Sequence, residues 1–587
     1  MSDQTFSTNR PETQGMHDTN VSGTRNNPPS KEGKKRRGHL KGRQLQEQAL
    51  VEVHALLKDD PRRPDLLIEY LHRIQDSYRH ISADHMVALA HELGLAMTEV
   101  YEVATFYHHF DVTKPGDAPP PPITVRVCDS ITCEMHGCGE LTENLRAELG
   151  PGVRIQPVPC VGRCHEAPVA VVGRNPIGQA TLAKVAAAVA AGAVKPPEPA
   201  GVVHYPAYRE AGGYRLLADC VGGRRDVEDI VTTLENAKLR GLGGAGFPAG
   251  RKWRALRNEP EPRYVAINID EGEPGTFKDG HYLERDPHRF LEGSLIGAWA
   301  VNAPDVYLYL RDEYAAAEGI LHQAVADLES DPPCPLPRIH IRRGAGAYIC
   351  GEESAMVESI EGKRGMPRLR PPLVAQVGVF GRPTLEQNME TMYWVRDILE
   401  KGPGWFAGQG RHGRHGLRSF SVSGRVKKPG VHLAPAGITL RELIDEYCGG
   451  MLDGHTLYGY FPGGASGGIL PASRADVPLD FDTLQEVDRS CFIGSAAVIV
   501  LSDKDSARRA ALNAMRFFAH ESCGQCTPCR VGTVKAVALM EQETWDETLL
   551  EELATAMVDA SICGLGQAAP NPLRCALKYF PQEFNNK

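Results

Sequence analysis

Apolar residues first recur at helical spacing and then, further along the chain, give way to short continuous apolar runs. Leu67, Leu71 and Ile74 fall on one face of a predicted helix. Ser82 is a predicted N-cap and Gly94 a predicted helix end, so a second helix is expected between them. A third helix is predicted in TEVYEVATFYHHF. Together these segments predict a small helical bundle over residues 45–114.

Strand and helix patterns alternate after the stiff, Pro-rich linker PGDAPPPP. ITVRVC, VRIQPVPC and APVAVVG are predicted strands, and GELTENLRAELG and IGQATLAKVAAAV are predicted helices. This pattern predicts an α/β domain over residues 123–195, with cysteines at the ends of its first two strands. The runs YVAINID and DVYLYLR are typical of strands buried in a parallel sheet, and they predict a larger α/β domain over residues 203–410.

The remaining segments complete a multidomain α/β chain. FSVSGRVKKPGVHLAPAGITLRELIDEYCGG alternates strands with a Thr-capped helix, which predicts a β-grasp-like domain over residues 417–502. Residues 506–587 are predicted to be helical. Residues 1–44 are polar and close with KEGKKRRGHLKGR, so we expect a disordered basic tail, either a solvated extension or a segment that docks onto an acidic subunit or a polyanion.

Composition narrows the class of protein. The chain has 587 residues and a net charge of -9, which argues against nucleic-acid binding. No secretory h-region and no apolar run of about 18 residues are visible, so we expect a soluble cytoplasmic protein without a membrane span. The 15 cysteines are an odd number, and their clustering indicates metal sites rather than disulfides.

Three cysteines fall within seven residues, in the pattern Cys523-x2-Cys526-x2-Cys529. This spacing suits three corners of a [4Fe-4S] cubane better than a structural zinc, whose ligands usually come in pairs. Cys563 is the candidate for a remote fourth ligand, with Cys575 as a competitor.

A second set of cysteines is paired. Cys128 and Cys133 form one pair, and Cys160 and Cys164 form the other. Spacing alone leaves [2Fe-2S] and zinc equally possible, although a nearby cubane favours a redox role. The other cysteines, including Cys491 and Cys575, are interpreted as isolated buried hydrophobes.

The stretch RGLGGAGFPAGRKW contains a G-x-G-x-x-G pattern. The preceding DVEDIVTTLENAKLR is predicted to be a helix, whereas the usual dinucleotide fingerprint follows a strand. Glycines nonetheless allow backbone N–H groups to approach a phosphate, and Lys252 is placed to neutralise it or to lie against a flavin. The alternative is a tight turn with structural glycines.

Two acidic clusters follow predicted strands. NIDEGEPGTFKD carries Asn268, Asp270, Glu271 and Glu273 at a strand end, where open α/β sheets bind ligands. GAGAYICGEESA carries Tyr348, Glu352 and Glu353. Carboxylates accept hydrogen bonds from ribose hydroxyls and repel a 2′-phosphate, so NAD is favoured over NADP.

Five motifs in order resemble the flavoprotein (diaphorase) module shared by respiratory complex I, NAD-reducing hydrogenases and NAD-dependent formate dehydrogenases. They are RGLGGAGFPAGRKW, NIDEGEPGTFKD, GAGAYICGEESA, PTLEQNMET and ESCGQCTPCR, within residues 205–587. Residues 45–195 resemble the companion subunit with a thioredoxin-like [2Fe-2S] domain, here fused to the module. The formate dehydrogenase beta subunit is the nearest resemblance.

This resemblance implies an α/β domain that binds FMN and NAD, followed by a C-terminal helical [4Fe-4S] domain. The implied flavin contacts are Gly241, Gly243, Lys252, Asn268, Asp270, Gly351, Glu352, Asn388 and Thr391. The implied NADH contacts are Phe247, Glu273, Tyr348 and Glu353. The implied [4Fe-4S] ligands are Cys523, Cys526, Cys529 and Cys563, and the implied [2Fe-2S] ligands are Cys128, Cys133, Cys160 and Cys164.

The resemblance also implies a function. Electrons would pass between iron–sulfur clusters, FMN and NAD+/NADH, with hydride transfer carried by FMN and no catalytic side chain. The implied partner is a larger subunit with iron–sulfur clusters and a molybdenum or tungsten pterin site that oxidises formate. The alternatives are the diaphorase of an NAD-reducing hydrogenase or of a complex I-like assembly and, in another class, a non-catalytic iron–sulfur sensor.

Overall fold

The computed structural model describes residues 42–584. The predicted disordered tail, residues 1–44, lies almost entirely outside the described residues. Over the described part the chain is a multidomain α/β protein, as predicted. The helix predicted in IGQATLAKVAAAV begins only at Leu182, and its first residue, Ile177, ends a short strand that the sequence pattern does not predict.

The first domain is a helical bundle. Its α-helices are α1 (Glu47–Leu57), α2 (Leu67–Tyr78), α3 (Ala83–Leu93) and α4 (Met97–Phe106). The hydroxyl of Ser82 accepts a 3.0 Å hydrogen bond from the backbone N–H of His85, and Gly94 ends α3 at a φ of 67°. Both residues therefore act as the sequence predicts. The N-cap oxygen accepts a hydrogen bond from a free N–H group at the start of the helix, and a glycine in the left-handed conformation ends it.

The second domain is a four-stranded sheet with helices against it. The strands are β1 (Ile123–Cys128), β2 (Val153–Val158), β3 (Ala170–Val172) and β4 (Asn175–Ile177), and the helices are α5 (Ile131–Met135), α6 (Cys138–Leu149) and α7 (Leu182–Ala190). The strand order is β2-β1-β3-β4, with β1 and β2 parallel and the other pairs antiparallel. The predicted cysteine-bearing strand ends, at Cys128 and beyond Val158, therefore lie side by side.

A parallel sheet organises the third domain. Its strands are β5 (Tyr264–Ile269), β6 (Asp305–Leu310), β7 (Arg338–Arg343) and β8 (Thr384–Asn388). Their order is β7-β6-β5-β8, and all three pairings are parallel. The chain runs outward from β5 to β7 and then returns to the other side of β5, so a topological switch point lies between β5 and β8. Ligands of open α/β sheets bind at such a point, outside the carboxyl ends of the strands.

The helices of this domain precede, connect and follow the strands. They are α8 (Tyr205–Glu210), α9 (Arg215–Val221), α10 (Val227–Asn236), α11 (Ala249–Leu256), α12 (Lys278–Leu283), α13 (Pro287–Ala300), α14 (Ala315–Ser330), α15 (Glu353–Ile360), α16 (Met389–Tyr393), α17 (Val395–Lys401) and α18 (Pro403–Ala407). Helix α10 directly precedes the glycine-rich stretch, as predicted.

The last two domains are a mixed sheet and a set of helices. The sheet contains β9 (Leu417–Gly424), β10 (Gly430–Pro435), β11 (Leu457–Phe461), β12 (Leu470–Pro471) and β13 (Ala497–Ser502), in the order β10-β9-β13-β11-β12, with the short helices α19 (Leu440–Glu442) and α20 (Thr483–Val487). The final helices are α21 (Ala507–His520), α22 (Thr527–Met540), α23 (Glu547–Ala560), α24 (Gly564–Ala568) and α25 (Asn571–Tyr579).

Helix α13 is buried along most of its length and packs tightly against the segment after β8. A Cβ atom added at Gly293 would lie 2.0 Å from the carbonyl oxygen of Met392. We expect Gly293→Ala to lower the free energy of unfolding by about 1–3 kcal/mol, because the overpacked helix must shift. Thermal unfolding of the purified protein measures the change.

Gly319 in α14 provides the matched control, since a Cβ atom there would meet nothing within 4 Å among the described residues. Gly319→Ala should leave stability unchanged or raise it by up to about 1 kcal/mol, because alanine is the better helix former. Equal effects of the two substitutions would contradict the packing argument.

Candidate flavin and iron–sulfur sites

A cavity of about 420 Å³ opens at the switch point between β5 and β8. It is lined by the glycine-rich stretch, the ends of both strands and parts of the last two domains. Twelve of the thirteen predicted cofactor contacts line it, namely Gly241, Gly243, Phe247, Lys252, Asn268, Asp270, Glu273, Tyr348, Gly351, Glu352, Glu353 and Asn388. The structure therefore brings the predicted contacts together around one cavity.

The thirteenth residue, Thr391, lies behind the cavity wall. Its side chain is fully buried, and its hydroxyl oxygen accepts a 2.9 Å hydrogen bond from the backbone N–H of Leu242. Thr391 therefore anchors the glycine-rich stretch from beneath.

The glycine-rich loop passes so close to the end of β8 that Gly243 has no room for a side chain. A Cβ atom at Gly243 would lie only 2.8 Å from Cβ of Asn388, at the end of β8. Gly244 and Gly246 adopt φ angles of 129° and 66°, which are strained for residues with a side chain. The loop therefore presents backbone directly to the cavity.

Asp270 is a buried carboxylate with an unsatisfied oxygen. Among the described residues its Oδ2 atom has no hydrogen-bond partner, and burial raises the pKa of Asp270 well above its usual value. The amide nitrogen of Asn268 donates a 2.9 Å bond to the carbonyl of Gly351 and holds the neighbouring wall in place. A sugar or ribityl hydroxyl bound in the cavity would satisfy Asp270, so the residues present fit a flavin nucleotide.

The charge of Lys252 is shared between two carboxylates. Its Nζ atom lies 2.7 Å from Glu386 and 3.9 Å from Glu353. Because Glu386 and Glu353 partly neutralise the positive charge of Lys252, this side chain is less suited to pair with a phosphate. A position of Lys252 beside the flavin ring is therefore favoured. Glu386 on β8 is a site residue that sequence reasoning missed, because its strand pattern alone gives no sign that it faces a ligand.

Glu273 and Tyr348 together join three domains at the cavity. Its Oε2 atom accepts a 2.5 Å hydrogen bond from the hydroxyl of Tyr348, and its Oε1 atom accepts bonds from the N–H and hydroxyl of Ser466, at 2.7 and 2.9 Å. The backbone N–H of Tyr348 in turn donates a 2.9 Å bond to Glu521. Sequence reasoning missed Ser466 because it belongs to a different predicted domain.

Glu352 and Glu353 are paired with an arginine at the rim of the cavity. Arg370 forms ion pairs with both carboxylates. Glu352 also caps α15 by accepting the backbone N–H groups of Ser354 and Ala355. Because a capping carboxylate has a fixed position, this edge of the cavity is preorganised.

A buried ionic cluster supports the cavity floor. Lys278 is 1% exposed and lies 2.8 Å from Asp279 and 3.2 Å from Glu390. Burial opposes the charge of Lys278, but the carboxylates of Asp279, Glu390 and Glu271 raise its pKa above the usual value. Asp279 also accepts a 2.7 Å hydrogen bond from Asn388, the residue that backs Gly243.

Glu271 completes this floor. Its carboxylate accepts hydrogen bonds from the backbone N–H of Asp279 and the hydroxyl of Tyr314. Burial and the charge of Asp279 raise the pKa of Glu271 to about 7. Sequence reasoning named Glu271 but missed Lys278, Asp279 and Glu390, because buried ion pairing between distant segments leaves no local pattern.

Four predicted cysteines surround a pocket next to the cavity. Cys523, Cys526, Cys529 and Cys563 line it together, with Ile349 and Leu565 among the other walls. Ile349 and Leu565 also line the flavin cavity, so these two residues form a wall that both sites share.

The cysteines of this pocket have the chemistry of cluster ligands. Burial raises the pKa of Cys563 to about 12 and that of Cys529 to about 11, so their thiolates need bound cations as partners. A Cβ atom at Gly566 would lie 2.9 Å from Cβ of Cys529, which shows how closely α24 approaches α22. The residues therefore fit a four-thiolate iron–sulfur cluster.

Cys575, the predicted competitor, lies outside this pocket. Its sulfur is 3.6 Å from that of Cys491, and both side chains are buried. The expectation that these two cysteines are isolated is wrong, because α25 packs against the loop that carries Cys491.

The second set of cysteines gathers at the ends of β1 and β2. The sulfurs of Cys160 and Cys164 lie 3.3 Å apart, and the neighbouring thiols of Cys133 and Cys160, together with burial, raise the pKa of Cys128 well above its usual value. All four side chains are buried. Four thiols in one buried site fit a cluster of the [2Fe-2S] type.

Four family models match successive parts of the chain. Residues 53–192 match the thioredoxin-like [2Fe-2S] ferredoxin, and residues 234–397 match the Nuo51 FMN-binding domain. Residues 419–470 match the SLBB domain, and residues 509–587 match the iron–sulfur binding region of NADH-ubiquinone oxidoreductase-F.

Relatives and solved structures agree with these matches. The F 2 polypeptide of NADH-quinone oxidoreductase of Rhizobium meliloti is 42% identical over 392 residues, which cover 64% of this chain and 92% of the relative. The mitochondrial 51 kDa subunit of NADH-ubiquinone oxidoreductase of Neurospora crassa is 39% identical, over 60% of this chain and 76% of the relative. A chain of an NAD+-reducing [NiFe]-hydrogenase in the H2-reduced state is 30% identical with a TM-score of 0.77, over 89% of this chain and 92% of that one.

The cavity, the two cysteine sites and these matches define an NAD-dependent flavin and iron–sulfur oxidoreductase, with FMN, [2Fe-2S] and [4Fe-4S] as its cofactors. The chain belongs to the family of the bacterial NADH-quinone oxidoreductase F and mitochondrial 51 kDa polypeptides, the flavoproteins of NADH dehydrogenases. Its predicted resemblance to the diaphorase module is confirmed.

Thr391→Val tests the anchor of the glycine-rich loop. The substitution leaves the buried N–H of Leu242 without an acceptor, and this costs ~1–3 kcal/mol. We expect FMN to bind at least about tenfold more weakly, as measured by flavin fluorescence during dialysis or titration. Thr142→Val is the control, since Thr142 is also buried but lies in α6. Equal FMN affinity in both variants would contradict the anchoring role.

Iron content distinguishes the two candidates for the fourth cubane ligand. Cys563→Ser should lose the [4Fe-4S] cluster, whereas Cys575→Ser should keep it, because Cys575 lies beside Cys491. Iron analysis and low-temperature EPR of the reduced proteins measure the difference. Loss of the cluster only in Cys575→Ser would overturn the assignment.

Proposed function

We propose that this chain is the diaphorase subunit of a soluble NAD-dependent formate dehydrogenase. In this proposal a larger subunit, with iron–sulfur clusters and a molybdenum or tungsten pterin site, oxidises formate, and the present chain passes the electrons to NAD+. The observation that carries the electron-transfer role is the wall of Ile349 and Leu565, which the flavin cavity and the four-cysteine pocket share.

The bound FMN supplies the hydride chemistry and the exchange between two-electron and one-electron transfer. The protein's own contribution is to hold both nucleotides in place. The glycine-rich loop brings backbone N–H groups to the cavity, and Asp270 offers its free oxygen to a hydroxyl. Phe247 is 50% exposed at the rim, where it is available to a nicotinamide nucleotide.

The acids at the cavity support NAD as the substrate. Glu273 is held by Tyr348 and Ser466, and Glu353 lines the same cavity. Carboxylates in fixed positions repel the 2′-phosphate of NADP and accept hydrogen bonds from the ribose of NAD.

The second cysteine site contacts the cavity wall through Arg311. This guanidinium donates to the backbone carbonyl of Cys160 at 2.8 Å and to that of Glu271 at 2.6 Å. Cys160 is one of the four thiols, and Glu271 lines the cavity. Both cysteine sites thus adjoin the flavin cavity, as an electron-transfer function requires.

The fusion of two modules in one chain resembles the arrangement of a formate dehydrogenase, although the hydrogenase chain that matches over both modules shares it. The run RLRPPLVAQVGVFGRP adds to this resemblance. The sequence carries no motif typical of a molybdopterin, nickel or quinone site, so the electron donor belongs to another subunit.

None of the helices within residues 42–584 has the length and apolar character needed to cross a membrane.

The diaphorase subunit of an NAD-reducing hydrogenase is the second candidate. It is favoured by the similarity to the hydrogenase chain, which extends over both modules and not over the flavoprotein alone. A flavin-free iron–sulfur sensor has no comparable support, because residues 234–397 match an FMN-binding domain.

The complex isolated with its native partners tests the proposal. We expect formate to drive NADH formation from NAD+ and hydrogen to give none. In the Cys563→Ser variant, formate oxidation with a viologen dye should persist while NADH formation falls by more than about 100-fold, because the dye accepts electrons at the partner. Hydrogen-driven NADH formation without formate activity would establish the second candidate instead.

A further inference from the structure

Two histidines and a glutamate meet where three domains join. His108 follows α4 of the helical bundle, His520 ends α21, and Glu521 is the next residue. The backbone N–H of His108 donates to the carbonyl of Gly346, and the N–H of Tyr348 donates to Glu521. The cluster therefore lies against the segment of the flavin domain that leads into the cavity.

The donor atoms of this cluster converge. One ring nitrogen from each histidine and one carboxylate oxygen of Glu521 lie within 4.8 Å of one another. Nδ1 of His520 is 3.2 Å from Oε1 of Glu521. Ligands at ~2.0 Å from a tetrahedral zinc ion lie ~3.3 Å apart, so this pair already has the spacing of two zinc ligands.

The surroundings leave room for a metal ion. All three residues line a cavity of about 80 Å³, which leaves room for a water as an additional ligand. Asp312 and Glu313 line the same cavity, but they are already paired with Arg174 and Arg311. Asp312 accepts a 2.5 Å hydrogen bond from His109, so the adjacent histidine already has its own carboxylate partner.

Glu521 is the fixed member of the cluster. It is 6% exposed, and its Oε2 atom is held by the N–H of Tyr348. Its Oε1 atom faces His520. The two imidazoles lie with ring centroids 4.1 Å apart, and both remain accessible from solvent.

We propose that His108, His520 and Glu521 form a zinc site that fastens the helical bundle to the end of α21. Two imidazole nitrogens, one carboxylate oxygen and a water are a donor set that zinc binds readily. Zinc has no redox chemistry in proteins, so the ion itself carries no electrons, although its cavity is also lined by Cys160 and Asp270. It braces the chain just before Cys523, the first ligand of the four-cysteine pocket.

Zinc titration of the purified holoprotein tests this site. Calorimetry with ZnCl2 under anaerobic conditions should show one equivalent bound, confirmed by zinc and iron analysis after desalting. His108→Ala and His108→Gln should each weaken this binding by more than about 100-fold, since even outer-sphere partners of zinc ligands are worth 10–100-fold. The Gln variant keeps a polar side chain of similar size and guards against misfolding.

His91→Ala is the matched control. His91 is an exposed histidine of the same bundle and does not belong to the cluster. This variant should bind zinc like the wild type, and zinc should raise the unfolding temperature of both but not of the His108 variants. Iron content should be equal in all four proteins, which shows that the cysteine sites are intact.

Any of three results would overturn the site. One is zinc binding of equal affinity in the wild type and both His108 variants, which would place the ion on cysteines or on other surface groups. Another is no zinc binding by the wild type at micromolar concentration. Unchanged binding in His520→Ala, with iron retained, would equally exclude the cluster.

Discussion

The contact between a bare loop and the end of a strand determines the shape of the flavin cavity. Gly243 passes so close to Asn388 that a single added carbon would collide with it. Asn388 in turn is held by Asp279, whose charge is balanced by the buried Lys278. The loop therefore depends on a cluster of charges that is itself removed from water. Because such a cluster tolerates the loss of a member poorly, the cavity floor is rigid.

Rigidity of the floor matters because the other walls come from separate domains. Glu273 is fastened to Ser466 of the mixed sheet, and Tyr348 is fastened to Glu521 of the final helices. Each of these bonds joins residues that are far apart in sequence. The flavin site is thus assembled only when all of these domains have docked, and the cysteine pocket is positioned by the same contacts.

Much of this arrangement is predictable from local sequence patterns. Asn268 and Asp270 can be assigned because buried parallel strands are recognisable and their carboxyl ends meet at one edge. Cys523, Cys526 and Cys529 can be assigned because their spacing is characteristic. Both inferences need only a short segment of chain.

The residues that sequence reasoning misses depend on contacts between distant segments. Glu386, Ser466 and Lys278 show no local periodicity that separates them from ordinary polar positions. The neighbours Cys491 and Cys575 are 84 positions apart, so their proximity cannot be deduced from spacing. Local sequence patterns predict the secondary structure, but they do not predict which distant segments contact each other.

Arg311 has a consequence for how the two fused modules stay together. Its planar guanidinium bridges two backbone carbonyls, one from each module, and the side chain is only 5% exposed. The Pro-rich linker at residues 115–122 is, by contrast, largely exposed. Covalent fusion thus guarantees equal numbers of the two modules, whereas Arg311, together with ion pairs such as that of Arg163 with Glu284, sets the distance between the second cysteine site and the flavin cavity.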